Sequence, residues 1–252
     1  MCRHVAYVGT PVALGEIVSA PAHSLVRQSW EPRYQKHGTV NADGFGVGWY
    51  ADGDPVPGRY RRKGPVWGDE GFADLARVVR STALLAAVRD ATFAGADGEA
   101  AAAPFADGSL LFSHNGAVRG WPGSLAGQAG TLPPDRLLAL AARSDSALIW
   151  ALVLHRVAEG EELARAVAGT VLDVADAAPG SRLNLLVTDG SAIVGTAWGD
   201  TLWYLHEPGR RRTVVASEPY DDDPSWHEVA DRTLLAATDT DVSLTPLKEP
   251  TA

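Results

Sequence analysis

A single cysteine, Cys2, occurs among the 252 residues, and a lone thiol cannot close a disulfide within the chain. A secreted scaffold stapled by bridges is thereby excluded. No apolar run approaches the ~20 residues of a membrane-spanning helix, and the N-terminus lacks the apolar core of a signal peptide. A soluble, cytoplasmic protein is expected. Basic charge is in deficit as well: 22 Lys and Arg against 31 Asp and Glu give a net charge of −9. Nucleic-acid binders and anionic-membrane binders display a basic face, so neither class fits. The seven histidines are scattered and do not have the spacing of a zinc site. No GxSxG elbow occurs, and Gly44–Gly48 (GFGVG) fits neither GxGxxG nor a P-loop. Those glycines suit close backbone approach or a bulge in a strand. No metal and no cofactor is expected.

Apolar residues make up 46% of the chain, enough for a substantial core. His4–Gly9 alternates like a strand, and Gly44–Ala51 is a second candidate. Leu84–Arg89 and Ser109–Ser113 are continuous apolar runs, as buried strands require, with a loop expected over Ala94–Gly108. Helical character appears over Pro134–Arg143, Ser146–Glu159 and Glu161–Ala178, with Ser144 or Asp145 as the cap of the second. Strands return over Arg182–Thr188, Ser191–Trp198, Thr201–His206 and Arg212–Ser217. The Asp189–Gly190 and Gly199–Asp200 turn pairs between them imply antiparallel hairpins. Strands, then helices, then a meander predict a layered α+β fold and one domain over residues 1–252, with neither repeat nor linker. Two basic clusters, Arg59–Lys63 and Arg210–Arg212, lie beside turn residues and read as solvated hairpin ends.

Cys2 gains a chemical meaning if Met1 is removed. Its α-amine, with a reference pKa of about 7.7–8.0, then stands beside a thiol of about 8.5 and can take its proton. An acyl-transfer nucleophile also needs donors aimed at the developing oxyanion. Asn115 and Gly116, after the apolar strand that ends in His114, can supply a side-chain NH2 and a backbone N–H. Taken alone, the pair reads first as an Asn-Gly hairpin turn. Arg89, closing an apolar strand in AAVRDAT, can clamp a carboxylate, or form a surface ion pair. Asp145, in RSDSA at a helix start, can hold an ammonium group, or cap the helix. Nucleophile, oxyanion pair and two opposite clamps together describe a site for a γ-glutamyl group.

These residues resemble the class II glutamine amidotransferases, a family of N-terminal-nucleophile hydrolases. Cys2 matches the nucleophile, and Asn115 with Gly116 matches the oxyanion pair of the family's HNG motif. Arg89 and Thr92 match its Arg-x-x-Thr element for the α-carboxylate, and Asp145 in SDS matches the aspartate for the α-amino group. Asn41–Tyr50 and Val215–Pro219 match further segments. Ala87, Phe93 and Ala147 depart from residues usual in the large synthases, which bears on glutamine as the substrate. MCRHVAYVG, His23–Trp30, Lys36–Tyr50, Phe112–Pro122 and Ala216–Val229 are similar instead to the small amidohydrolases of ergothioneine biosynthesis.

The resemblance implies an αββα four-layer sandwich of two antiparallel sheets. It implies hydrolysis of γ-glutamyl-hercynylcysteine sulfoxide to glutamate and hercynylcysteine sulfoxide through a Cys2 thioester. The partner is then a small γ-glutamyl molecule; no obligatory protein partner is evident, and a homo-oligomer stays open. The rival reading is a glutaminase subunit supplying ammonia to a separate synthetase. Trp30, Trp49, Trp121 and Tyr220 offer aromatic faces for the quaternary ammonium of the leaving group, with core packing as the alternative for each.

Overall fold

Parity along the first strand sets the layering. The computed structural model describes residues 2–38, 40–91 and 98–247. In chain order the strands begin with β1 (Arg3–Ala13), β2 (Gly44–Trp49), β3 (Gly58–Arg62) and β4 (Arg80–Arg89). β5 (Phe105–Asp107), β6 (Leu110–Ala117), β7 (Arg182–Thr188) and β8 (Ile193–Ala197) follow. The last are β9 (Trp203–Glu207), β10 (Arg212–Ala216), β11 (His227–Glu228), β12 (Thr233–Ala237) and β13 (Val242–Pro246). One sheet runs β11-β9-β10-β1-β4-β2-β3 and the other β13-β12-β8-β7-β6-β5. Every pairing is antiparallel.

The helices are α1 (Leu14–Val18), α2 (Leu25–Gln28), α3 (Glu70–Val78), α4 (Ala126–Ala129), α5 (Pro134–Leu138), α6 (Asp145–Ala158) and α7 (Leu163–Ala177). Val5 and Tyr7 of β1 pack with Leu14, Ile17 and Phe72 on the outer face of the first sheet. Ala6 and Val8, one residue out of phase, face the second sheet and meet Leu111, Leu186 and Leu202. The far face of the second sheet is covered by α6 and α7, where Phe112 stacks on Trp150 at 4.9 Å. Helices, sheet, sheet and helices therefore form four layers, as expected of an αββα sandwich. Period-two alternation is what allows each strand to serve two cores.

The glycines of β2 have a steric reason. A Cβ on Gly46 would stand 2.5 Å from the Ala103 carbonyl oxygen, and one on Gly48 2.6 Å from a Leu111 methyl. Their absence lets the 98–105 segment and the second sheet close onto β2, the close-approach reading of GFGVG.

Some expectations need correction. Asn115 and Gly116 do not form a turn: β6 continues through both, in register with Asn184 and Leu183. Within the expected loop over Ala94–Gly108, residues 94–97 lie outside the described residues. The remainder holds a 3-10 turn, Gly98–Ala101, and β5, because buried Phe105 pairs with Phe112 across a short edge strand. The Arg59–Lys63 cluster is mostly strand β3, not a hairpin end. Arg59 and Arg61 donate to the carbonyls of Pro104, Ala100 and Ala102. The helix expected over Pro134–Arg143 stops at Leu138.

Candidate active site

Cys2 continues the alternation of β1 backwards, on the same side as His4 and Ala6. It lines a cavity of about 240 Å3 together with Arg89, His114, Gly116 and Asp145. β1 pairs with β4 so that Arg3 lies opposite Val88, which brings Arg89 beside Cys2. The turn after Arg89 is held by Asp43: its N–H donates to the Arg89 carbonyl at 2.9 Å, and its carboxylate accepts the Ala91 N–H at 2.7 Å. Thr92 lies outside the described residues. Burial pushes the Cys2 thiol above its ordinary pKa, and the Asp145 carboxylate adds to this. The Asp90 N–H and the Arg89 guanidinium work in the opposite sense.

Asp145 is the first residue of α6, but it is not the cap. Ser144 is, accepting the Ala147 N–H at 3.2 Å. The Asp145 carboxylate is thereby free for other partners: the Val118 N–H at 2.9 Å on one oxygen and the Ser146 N–H at 2.7 Å on the other. Two backbone donors fix its orientation toward the cavity. A guanidinium and a carboxylate thus line one cavity with the thiol, a pattern complementary to an α-carboxylate and an α-ammonium.

His114 and Gly116 explain each other. His114 Nε2–H donates to the Arg182 carbonyl at 2.9 Å, leaving Nδ1 to face the Ser146 hydroxyl at 3.0 Å. A Cβ on residue 116 would sit 1.9 Å from that carbonyl oxygen and 2.5 Å from His114 Nε2, so only glycine fits. β5 pairs with β6 only as far as Phe112, and beyond it β6 has a strand on one side alone among the described residues. His114 and Gly116 of this open stretch line the cavity.

Asn115 has the opposite parity. It is fully buried, does not line the cavity, and projects between the sheets on the same side of β6 as Ser113, which meets His4 at 3.2 Å. Its Nδ2 donates to Ser217 Oγ at 3.3 Å.

Sequence reasoning missed Arg143, Ser144, Ser146 and Phe105, which also line the cavity. The first three flank Asp145 within three residues, and that proximity was an available signal. Nothing in the sequence marked Phe105. Of the four candidate aromatics only Trp121 reaches the cavity. Trp30 packs edge-on against Trp67, and Tyr220 against Trp226. No group of three or more potential metal ligands occurs among the described residues, and none of their helices is long and apolar enough to cross a membrane.

A nucleophile candidate at the head of a central strand, in a four-layer αββα sandwich, is the arrangement of the N-terminal-nucleophile amidotransferase domains. The chain belongs to the class II glutamine amidotransferases: the model of that family matches residues 21–210. It is 44% identical over 249 residues to the γ-glutamyl-hercynylcysteine sulfoxide hydrolase of Mycolicibacterium smegmatis, covering 98% of this chain and 100% of that protein. The Mycobacterium tuberculosis protein of the same name is 41% identical, with coverage of 98% and 97%. Among solved structures, a class II domain protein of Silicibacter pomeroyi superposes with a TM-score of 0.69 at 25% identity, over 98% of this chain and 100% of that one. The phosphoribosylpyrophosphate amidotransferase of Bacillus subtilis shares the fold, with a TM-score of 0.64 at 15% identity, over 99% of this chain and 50% of that one.

Proposed function

We propose that this protein hydrolyses the γ-glutamyl amide of γ-glutamyl-hercynylcysteine sulfoxide, releasing glutamate and hercynylcysteine sulfoxide in ergothioneine biosynthesis. The carrying observation is the cavity itself, which Cys2, Arg89 and Asp145 line together. Two relatives of that activity by name, aligned over nearly the whole chain, supply the leaving group. In this reading the chain acts as one domain over residues 1–252, in the cytoplasm, on a small γ-glutamyl substrate, with a homo-oligomer left open.

Arg89 and Thr92 hold the glutamyl α-carboxylate, and Asp145 holds the α-ammonium. With Met1 removed, the Cys2 amine takes the thiol proton, and the thiolate attacks the γ-carbonyl carbon. The Gly116 N–H, which lines the cavity, stabilises the oxyanion together with the Asn115 amide, which has to reach it from between the sheets. Collapse breaks the C–N bond, the Cys2 ammonium protonates the leaving nitrogen, and a thioester remains. The amine then removes a proton from water, hydroxide adds to the thioester, and glutamate departs as the thiolate re-forms.

The test is glutamate release from γ-glutamyl-hercynylcysteine sulfoxide and from glutamine, side by side, with Cys2→Ala as control and the N-terminal mass measured. Turnover of the sulfoxide well above glutamine, abolished in Cys2→Ala and carried by protein lacking Met1, is expected. Equal rates on both substrates defeat the ergothioneine assignment, and undiminished release by Cys2→Ala defeats the mechanism.

A further inference from the structure

Ser217 directly follows β10 and is wholly buried, and its hydroxyl oxygen is shared between two parts of the site. It accepts the backbone N–H of His4, two residues beyond Cys2, at 3.0 Å. It also accepts the Asn115 Nδ2–H at 3.3 Å. The Ser217 backbone is itself pinned: its N–H donates to the His4 carbonyl at 2.9 Å, and its carbonyl accepts the Thr201 hydroxyl at 2.8 Å. One oxygen atom therefore ties the strand that follows the nucleophile to a side chain of the opposite sheet.

We propose that Ser217 is a positioning residue that aims the Asn115 amide at the oxyanion; this rests on the role given to Asn115 above. A carboxamide carries two N–H donors. Ser217 takes one, which leaves the other, in the same plane, for the developing charge. The last torsion of asparagine is soft and two-fold, and Asn115 Oδ1 has no hydrogen-bond partner among the described residues to fix it. Without the Ser217 hydroxyl the amide can rotate and present its own oxygen to the oxyanion, turning a stabilising contact into a repulsive one. Ser217 lines no part of the cavity, so ground-state binding does not depend on it. Thioester formation and thioester hydrolysis both place charge on the same oxygen, so both steps slow together.

The experiment is a double-mutant cycle on kcat and KM for glutamate release from γ-glutamyl-hercynylcysteine sulfoxide, with wild type, Ser217→Ala, Asn115→Ala and the double variant. Ser217→Ala is expected to lower kcat by about 10- to 100-fold at unchanged KM, the scale of a misplaced catalytic contact. In the Asn115→Ala background the same change is expected to alter kcat by less than about twofold. An equal Ser217→Ala penalty in both backgrounds overturns the proposal, because it assigns Ser217 to strand packing; the reading of Asn115 then survives. Wild-type kcat in Ser217→Ala also overturns it. Wild-type kcat in Asn115→Ala overturns the reading of Asn115 and the proposal with it. Ser217→Cys, with a weak acceptor of nearly the same size, runs through the same cycle should the alanine variant fail to fold.

Discussion

Glu218 receives the Arg3 guanidinium at 2.9 Å, with 1% of the Arg3 side chain exposed and none of the Glu218 side chain. The same carboxylate accepts the backbone N–H groups of Arg33 and Tyr34, both at 2.9 Å. Arg3 directly follows Cys2, so one buried charge anchors the strand that follows Cys2 and the loop that leads from α2 toward β2. Burial pushes the Arg3 pKa down, and Glu218 opposes that shift.

Glu218→Gln is therefore expected to be costly, because it leaves a buried guanidinium without its counter-charge. Breaking such a pair typically costs about 3–5 kcal/mol. Urea unfolding at neutral pH checks it. A loss below about 1 kcal/mol, the scale of an exposed pair, would place Arg3 and Glu218 in water.

Gly116→Ala is expected to abolish turnover while leaving the protein folded at reduced stability. The new methyl collides with the Arg182 carbonyl and His114 Nε2, and one or both must shift. Overpacking of this kind costs about 1–3 kcal/mol. Paired kcat and melting measurements separate the two effects. A fully active variant would exclude the Gly116 N–H from the oxyanion site.

The sequence made the layering legible where alternation was clean. His4–Gly9 and Arg182–Thr188 lie in strands, as expected, and the Asp189–Gly190 turn is closed by Asp189 accepting the Ser191 and Ala192 N–H groups at 2.8 and 2.9 Å. Asn115–Gly116 misled, because Asn-Gly signals a turn by local propensity whereas this glycine answers to a carbonyl on the neighbouring strand. Asp145 misled as a cap for a similar reason. Ser144 does the capping, and the carboxylate is spent on Val118, 27 residues away. Local signals report local partners, so the Arg3–Glu218 pair, 215 residues apart, was beyond their reach.

Asp145→Asn and Arg89→Ala are expected to act mainly on substrate capture. In the proposed reading each removes a charge that meets the zwitterionic glutamyl end, and a hydrogen bond to a charged group is worth about 1.5–3 kcal/mol. That corresponds to roughly 10- to 100-fold in kcat/KM. Arg89→Lys is expected to recover little, because an ammonium cannot reproduce the bidentate fork. If Asp145→Asn left kcat/KM unchanged, the α-ammonium would have to be held elsewhere.

His4 gives a pH dependence of defined sign. It is wholly buried, with Nδ1 at 3.2 Å from the Ser113 hydroxyl and Nε2 without a hydrogen bond among the described residues. Burial lowers its pKa from 6.5 to about 3, with His114 and Arg3 acting in the same direction. The folded state therefore binds this proton less readily than the unfolded chain. The contribution to stability is full above pH 6.5 and is lost progressively as the pH falls toward 3. Between pH 7 and pH 5 the loss amounts to about 2 kcal/mol. Urea unfolding at both pH values, in wild type and His4→Gln, measures it. All other groups are common to both proteins and cancel in the comparison, so the wild type should lose about 2 kcal/mol more than the variant. Parallel pH profiles would mean that His4 takes up its proton in the folded state, which requires water or a carboxylate within reach of Nε2.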